Sequence, residues 1–146
     1  MKILLISANV AASPYPVYPL GISMVASALL KVGHEVELFD FLQNSQSVTR
    51  VKEKVEAVQP DIIGISIRNV DNVNSVHEVR YIDCVENIVS AIKTISTAPV
   101  IIGGSGFSVM PIQVLNKVGA DYGVVGEGEE LMCSFVAAFE KGKLPD

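Results

Sequence analysis

The residues that could do chemistry here are glycines, hydroxyls and amides rather than paired charges. Pro99-Val100-Ile101-Ile102 runs without a polar spacer into Gly103-Gly104-Ser105-Gly106, with Phe107 and Ser108 following. One glycine after an apolar run would be an ordinary turn returning the chain to a helix. Three glycines within four positions instead favour a place where backbone without Cβ atoms meets a large flat or phosphorylated molecule. Other stretches of similar character are Ser66-Ile67-Arg68-Asn69, Gly126-Glu127-Gly128, and a long turn from Ala8 to Tyr18 stiffened by Pro14 and Pro16. That turn is preceded by Ser7, carries Asn9 and Tyr18, and leads through Pro19 into Leu20 and Gly21.

These stretches share one trait: each follows a segment that must be a strand. Ile3-Leu4-Leu5-Ile6, Ile62-Ile63-Gly64-Ile65 and Val100-Ile101-Ile102 are continuous apolar runs, the pattern of parallel strands covered on both faces. Glu35 to Phe39 alternates charged and apolar residues, so it is a half-exposed edge strand, and Tyr122 to Val125 is a fifth strand. Helices are expected over Leu20–Val32, Ser47–Gln59, the segment holding Ile82, Val85, Ile88, Val89, Ile92 and Ile95, Pro111–Lys117 and Glu129–Lys141. Gly33 and Gly119 suit helix ends, and Pro60 stops the second helix. Alternating strands and helices predict an α/β flavodoxin-like (Rossmann-like) fold, a doubly wound five-stranded parallel sheet of order 2-1-3-4-5 in a three-layer sandwich. In that topology the four stretches meet at the carboxyl edge of the sheet, where open α/β sheets bind ligands. The polar segment from Ile67 to about Arg80, with Asn69, Asp71, Asn72 and Asn74, is longer than ordinary strand-to-helix loops and is expected to be functional.

Composition narrows the class. A chain of 146 residues with 49% apolar content is long enough for one domain with a real core. No apolar stretch has the length of a membrane span, and the run after Met1-Lys2 is too short for a signal peptide. Sixteen acidic residues against eleven basic ones, without a basic stripe, argue against nucleic acid as a partner. Cys84 and Cys133 are isolated within helical patterns, expected as buried thiols, and belong to no zinc or iron–sulfur cluster motif. The expected compartment is the cytoplasm. Residues 1–141 are expected to form the domain, and 142–146 to begin a linker toward a further domain.

Competing uses of this scaffold can be weighed by residue. A phosphorelay receiver needs clustered carboxylates after strand 1 and an aspartate ending strand 3, where this chain has Ser7-Ala8-Asn9 and Ser66. A dinucleotide site needs glycines in the first turn, which has none before Gly21. A flavodoxin phosphate loop needs more hydroxyls after strand 1 than Ser7 and Ser13 provide. Glu127 and Glu129 suit a helix start, where they complement the dipole. Ser66 suits either a ligand contact or local capping. His34 is expected to face solvent on the opposite edge, which leaves His77 as the histidine on the binding side.

The motifs resemble a family. Ser66-Ile67-Arg68 and Gly103-Gly104 are similar to the SxL and GG elements of cobalamin-binding domains. Pro19-Leu20-Gly21-Ile22 with Ala26-Ser27, Pro60-Asp61-Ile62-Ile63-Gly64-Ile65-Ser66, and Val125-Gly126-Glu127-Gly128-Glu129 resemble the amino-terminal domain of cobalamin-dependent radical SAM enzymes. The resemblance spans nearly the whole chain. It departs from the pattern at Arg68 in the third SxL position, and in the absence of the DxHxxG element whose histidine ligates cobalt in methionine-synthase-type relatives. Many radical SAM relatives lack that element as well. The resemblance implies a cofactor-holding module without catalytic or metal-ligating residues of its own. Its cobalamin contacts would come from Ser7, Asn9, Tyr18, Leu20, Gly21, Ser66, Ile67, Arg68, Asn69, Gly103, Gly104, Ser105, Gly106, Phe107, Gly126, Glu127 and Gly128. Glycines 103, 104 and 106 would leave room for the nucleotide tail, and the [4Fe-4S] cluster and S-adenosylmethionine would belong to a downstream radical SAM domain. A flavin- or nucleotide-binding domain, or a stand-alone interaction module, is the alternative.

Overall fold

The computed structural model of the protein describes residues 1–12, 14–70 and 81–143. Ser13, His77 and most of the asparagine-rich stretch fall outside them, and so does the expectation placed on that long loop. The elements are β1 (Lys2–Ser7), α1 (Leu20–Lys31), β2 (Glu35–Asp40), α2 (Val48–Val58), β3 (Ile62–Ser66), α3 (Tyr81–Lys93), β4 (Val100–Gly103), α4 (Ser105–Val109), α5 (Pro111–Val118), β5 (Tyr122–Gly123) and α6 (Gly128–Glu140). All strand pairs are parallel and the order is β2-β1-β3-β4-β5, as the alternation of elements predicts.

Because side chains alternate across a strand, each apolar run feeds two cores. Leu4, Ile6, Ile63, Ile65, Val100 and Ile102 pack under α2, α3 and α5. Ile3, Leu5, Ile62 and Ile101 point the other way, beneath α1 and α6, with Ile22, Leu29, Met132, Phe135 and Val136. Helix ends follow local chemistry. Ser47 Oγ accepts the Arg50 amide at 3.4 Å to start α2, Gln59 closes it in a left-handed conformation, and Gly119 (φ +68°) closes α5. Pro19 stands at the N-cap of α1, one residue outside the helix.

The structure departs from the sequence expectations in a few places. The glycine stretch, expected as a binding loop with no helix of its own, opens an additional one-turn helix, α4. Strand β5 pairs over Tyr122–Gly123 only, although the Val124 amide still reaches Ile102 O at 2.8 Å. Cys84 and Cys133 are half-buried rather than fully enclosed, and burial raises both thiol pKa values above their ordinary range. His34 does not face solvent. Its side chain is 9% exposed and packs 3.7 Å from Glu140 Oε1 beside the amino terminus, because α6 ends over the start of β2. Among the described residues no helix is long and apolar enough to cross a membrane.

Phe107, on α4, is fully buried and its ring lies over Gly123, in the place a Cβ at that position would occupy. Gly123→Ala is therefore expected to lower the unfolding free energy by about 1–3 kcal/mol through overpacking. In the Phe107→Leu background the same change should cost less, a coupling that a double-mutant cycle in urea denaturation would measure.

Candidate functional site

The sheet register lines up the ends of three strands. Ser7 pairs with Ser66, and Ser66 with Gly103, so a serine–serine–glycine row lies along the carboxyl edge. One step inward on the same face, Leu5, Gly64 and Ile101 form a second row. Gly64 has no side chain, so the sheet is recessed between Leu5 and Ile101. The methyl Cδ2 of Leu5 leans to 2.6 Å from where a Gly64 Cβ would stand.

Above this recess lies a cavity of about 480 Å³ between the sheet and helices α1 and α6. Its floor is Leu5, Gly64 and Ile101, its sides are Val25, Val124 and Met132, and its mouth opens at the carboxyl edge. Of the residues singled out from sequence, Ser7, Asn9, Tyr18, Leu20, Gly21, Ser66, Arg68, Gly103, Gly104, Ser105, Gly126, Glu127 and Gly128 line it. Ile67 and Phe107 point into the core beneath α3 and α5, on the other side of the sheet. Gly106 is buried against the backbone of Arg68 and Asn69, and Asn69 stands exposed beside it without lining the cavity. Gly64, Val25, Val124 and Met132 were missed by the sequence reading. The available signal was a glycine interrupting the apolar run of β3, which often marks a close approach of ligand or backbone.

The glycines after β4 serve packing as well as access. Gly104 has φ +97°, and a Cβ there would lie 2.6 Å from Ile67 O and 2.9 Å from Ser66 Oγ. A Cβ at Gly106 would meet Arg68 and Asn69 backbone atoms at 3.0–3.1 Å. On the side where a Cβ would point, both glycines are covered by the loop after β3, whereas Gly103, Gly104 and Ser105 still line the open volume. Hydrogen bonds close the contact: Gly106 N–H to Ile67 O at 2.9 Å, Ile67 N–H to Gly103 O at 2.8 Å, and Ser105 Oγ to Arg68 O at 2.9 Å.

The first turn is held separately. Asn9 Oδ1 accepts the Ala11 amide at 3.1 Å, the Ala8 amide donates to Ser66 O at 3.1 Å, and Gln46 Nε2 donates to Val10 O at 3.3 Å. Tyr18, 69% exposed, shares a 3.1 Å hydrogen bond with Ser23 Oγ at the start of α1. Among the described residues Arg68 is the one cation lining the cavity, which Glu127 and Glu129 at the start of α6 also line. No cluster of metal-binding side chains occurs among the described residues. A second hollow, about 660 Å³, lies at the amino edge around Pro60, Lys93 and Thr97. It is larger but more open, and it is far from the strand ends where α/β sheets hold ligands.

Fold and cavity together define a flavodoxin-like α/β domain with a cavity at its carboxyl edge. Residues 6–136 match the family model of the B12 binding domain, and the chain belongs to that family. It is similar to the tryptophan 2-C-methyltransferase of Streptomyces laurentii, 27% identical over 132 residues, covering 90% of this chain and 22% of that protein. The structure of the radical S-adenosylmethionine methyltransferase TsrM from Kitasatospora setae, with cobalamin and a [4Fe-4S] cluster bound, superposes with a TM-score of 0.89 at 30% identity. The match covers 97% of this chain and 25% of that one. The cobalamin-dependent S-adenosylmethionine radical enzyme OxsB, with aqua-cobalamin and S-adenosylmethionine bound, shares the fold at a TM-score of 0.74 and 21% identity. That likeness covers 99% of this chain and 19% of OxsB. The chain thus spans a quarter or less of the length of these relatives.

The glycine geometry separates fold from site. Gly104→Ala should destabilise the protein by about 2 kcal/mol or more, since it forces a side chain into positive φ and against Ile67 O. Gly21→Ala should be neutral or stabilising by about 0.5–1 kcal/mol, being helical with open space at its Cβ position. Urea midpoints of the two variants check this contrast.

Proposed function

We propose that this chain is the cobalamin-binding module of a cobalamin-dependent radical SAM enzyme that performs methyl transfer or a related radical modification. The observation that carries this reading is the cavity between sheet and helices, apolar at its floor and polar at its mouth. Its volume falls within the roughly 300–1,000 Å³ of small-molecule sites. Such a cavity suits the nucleotide tail of cobalamin, with the base over Leu5, Gly64 and Ile101 and the polar groups near Ser7, Ser66 and Asn9. The flat corrin would then rest on the glycine loops and beneath the Tyr18 turn. Bound cobalamin supplies an organometallic cobalt centre suited to carrying a methyl group, chemistry that no protein side chain offers. The residues of this chain hold it, orient it and exclude water from the tail.

Cobalamin is bound base-off and without a histidine ligand in this proposal. A tail seated in the cavity withdraws its own base from the metal, and the turn from Ala8 to Tyr18 offers amide, hydroxyl and phenol groups but no imidazole. His34 belongs to the amino edge with Glu140. Arg68 is at the mouth, and a guanidinium offers hydrogen-bond donors only, with no acceptor lone pair to give a metal. The S-adenosylmethionine and [4Fe-4S] chemistry falls to a downstream domain of the same protein, since Cys84 and Cys133 cannot supply a cysteine triad. Residues 1–141 form the module and 142–146 begin the linker. The protein acts in the cytoplasm, in keeping with its free cysteines, and not on nucleic acid, in keeping with its net charge of −5.

Gly21→Phe tests the cavity, because Gly21 lines it and a Cβ there meets nothing within 4 Å. Cobalamin affinity, followed by visible absorption, should fall by about tenfold or more, or 1.4 kcal/mol, while the melting temperature stays within a few degrees. Flavin mononucleotide should not bind either protein; tight flavin binding with no cobalamin binding would replace this reading.

Electron paramagnetic resonance of the cobalt(II) form tests the metal's surroundings. Strong axial nitrogen splitting is expected to be absent, in the native chain and in His77→Ala alike. Splitting that disappears in His77→Ala would instead mean a histidine-ligated cobalt, and splitting that persists there would mean that the base never left the metal.

A further inference from the structure

Two walls of the cavity, Gly103–Ser105 and Gly126–Gly128, are joined by a side chain that does not itself line it. We propose that Ser108 is a positioning residue whose hydroxyl holds the loop between β5 and α6 at the spacing the bound group requires; this rests on the cobalamin reading above. Ser108 Oγ donates to Gly104 O at 3.0 Å, and the Gly126 amide donates to Ser108 Oγ at 3.0 Å. Both glycines line the cavity and both have positive φ, +97° at Gly104 and +88° at Gly126.

What makes this hydroxyl matter is the scarcity of other restraints. The last sheet bond before the loop is Val124 N–H to Ile102 O. Beyond it, among the described residues, no other hydrogen bond ties 125–127 to a different element. Val125, Gly126 and Glu127 are all exposed, and glycines at 126 and 128 leave the backbone unusually free. Ser108 is half-buried, so the bond is partly shielded from competing water. The short helix α4 has a definite task in this arrangement. Phe107 anchors it in the core, and one residue later Ser108 presents its oxygen to the neighbouring loop. Removing the hydroxyl unties the α6 side of the mouth while the β4 side remains held by Ile67 and Arg68.

The test uses the full chain with Ser108→Ala and Ser108→Thr, and aquacobalamin followed by stopped-flow absorbance. Ser108→Ala should weaken binding by about five- to tenfold, the net worth of one hydrogen bond, through faster dissociation with little change in association rate. Ser108→Thr keeps the hydroxyl and should restore most of that loss. In the free protein, amide exchange at Gly126 should accelerate in Ser108→Ala while the amides of β1 keep their protection. Unchanged affinity in Ser108→Ala would overturn the inference, as would an equal loss in Ser108→Thr or loss of protection in β1 together with Gly126. A native chain that binds no cobalamin is a different result, one that overturns the functional reading and this inference with it.

Discussion

The structure depends on one close approach, between the loop leaving β3 and the glycines leaving β4. Two strands of a parallel sheet stand about 4.8 Å apart, and loops that continue beyond their ends normally splay. Here they do not. Gly104 in positive φ turns its carbonyl toward Ser108, and the absence of a Cβ lets Ile67 and Arg68 backbone lie directly against Gly104 and Gly106. Ile67 is thereby carried inward as an extra core residue and α4 is nucleated, although its own sequence has little tendency to form a helix. The carboxyl edge becomes a fixed rim instead of a set of independent loops.

The two faces of the sheet are built differently around that rim. Beneath α2, α3 and α5 the branched side chains of β1, β3 and β4 fill the space, and Phe107 completes the layer. Beneath α1 and α6 the alternation brings Gly64 to the surface of β3, and Ser7, Ser66 and Gly103 above it. A face made of glycine and serine cannot close against helices as tightly as one made of isoleucine. The hollow is thus a consequence of which residues fall on the even and odd positions of β3. The same parity sends Ile65 and Ile67 into the opposite core.

Much of this was legible in the sequence, for an identifiable reason. Strands buried on both faces give unbroken apolar runs, and an edge strand gives alternation, so the central position of β1 and the edge position of β2 are printed in Ile3–Ile6 and in Glu35–Phe39. The carboxyl-edge loops follow from topology alone. What sequence could not give were features created by contact between distant segments. The short helix α4 is tied in its first turn by the Gly106 amide donating to Ile67 O, a contact that Gly-Ser-Gly by itself does not announce. His34 is enclosed because α6 happens to end beside it. Gly64 was quoted within a motif, yet its role appears only when register sets it between Leu5 and Ile101. Ser108 lay next to the glycines and carried no pattern that marked it as a bridge.

The distribution of ion pairs has a consequence for how the domain meets a changing medium. Lys54 with Glu37, Lys93 with Asp121, and Lys117 with Asp83 and Glu86 all fasten the α2, α3 and α5 side, while Lys2 and the Met1 amino group pair with glutamates at the amino edge. Among the described residues none spans the mouth of the cavity, whose walls are joined by uncharged hydrogen bonds and glycine contacts. Mobile ions screen exposed charge pairs over about 8–10 Å and leave such contacts nearly untouched. The ion pairs are therefore confined to the back and the amino edge of the domain, so a change in ionic strength falls on those fastenings and spares the hydrogen bonds and glycine contacts that join the cavity walls.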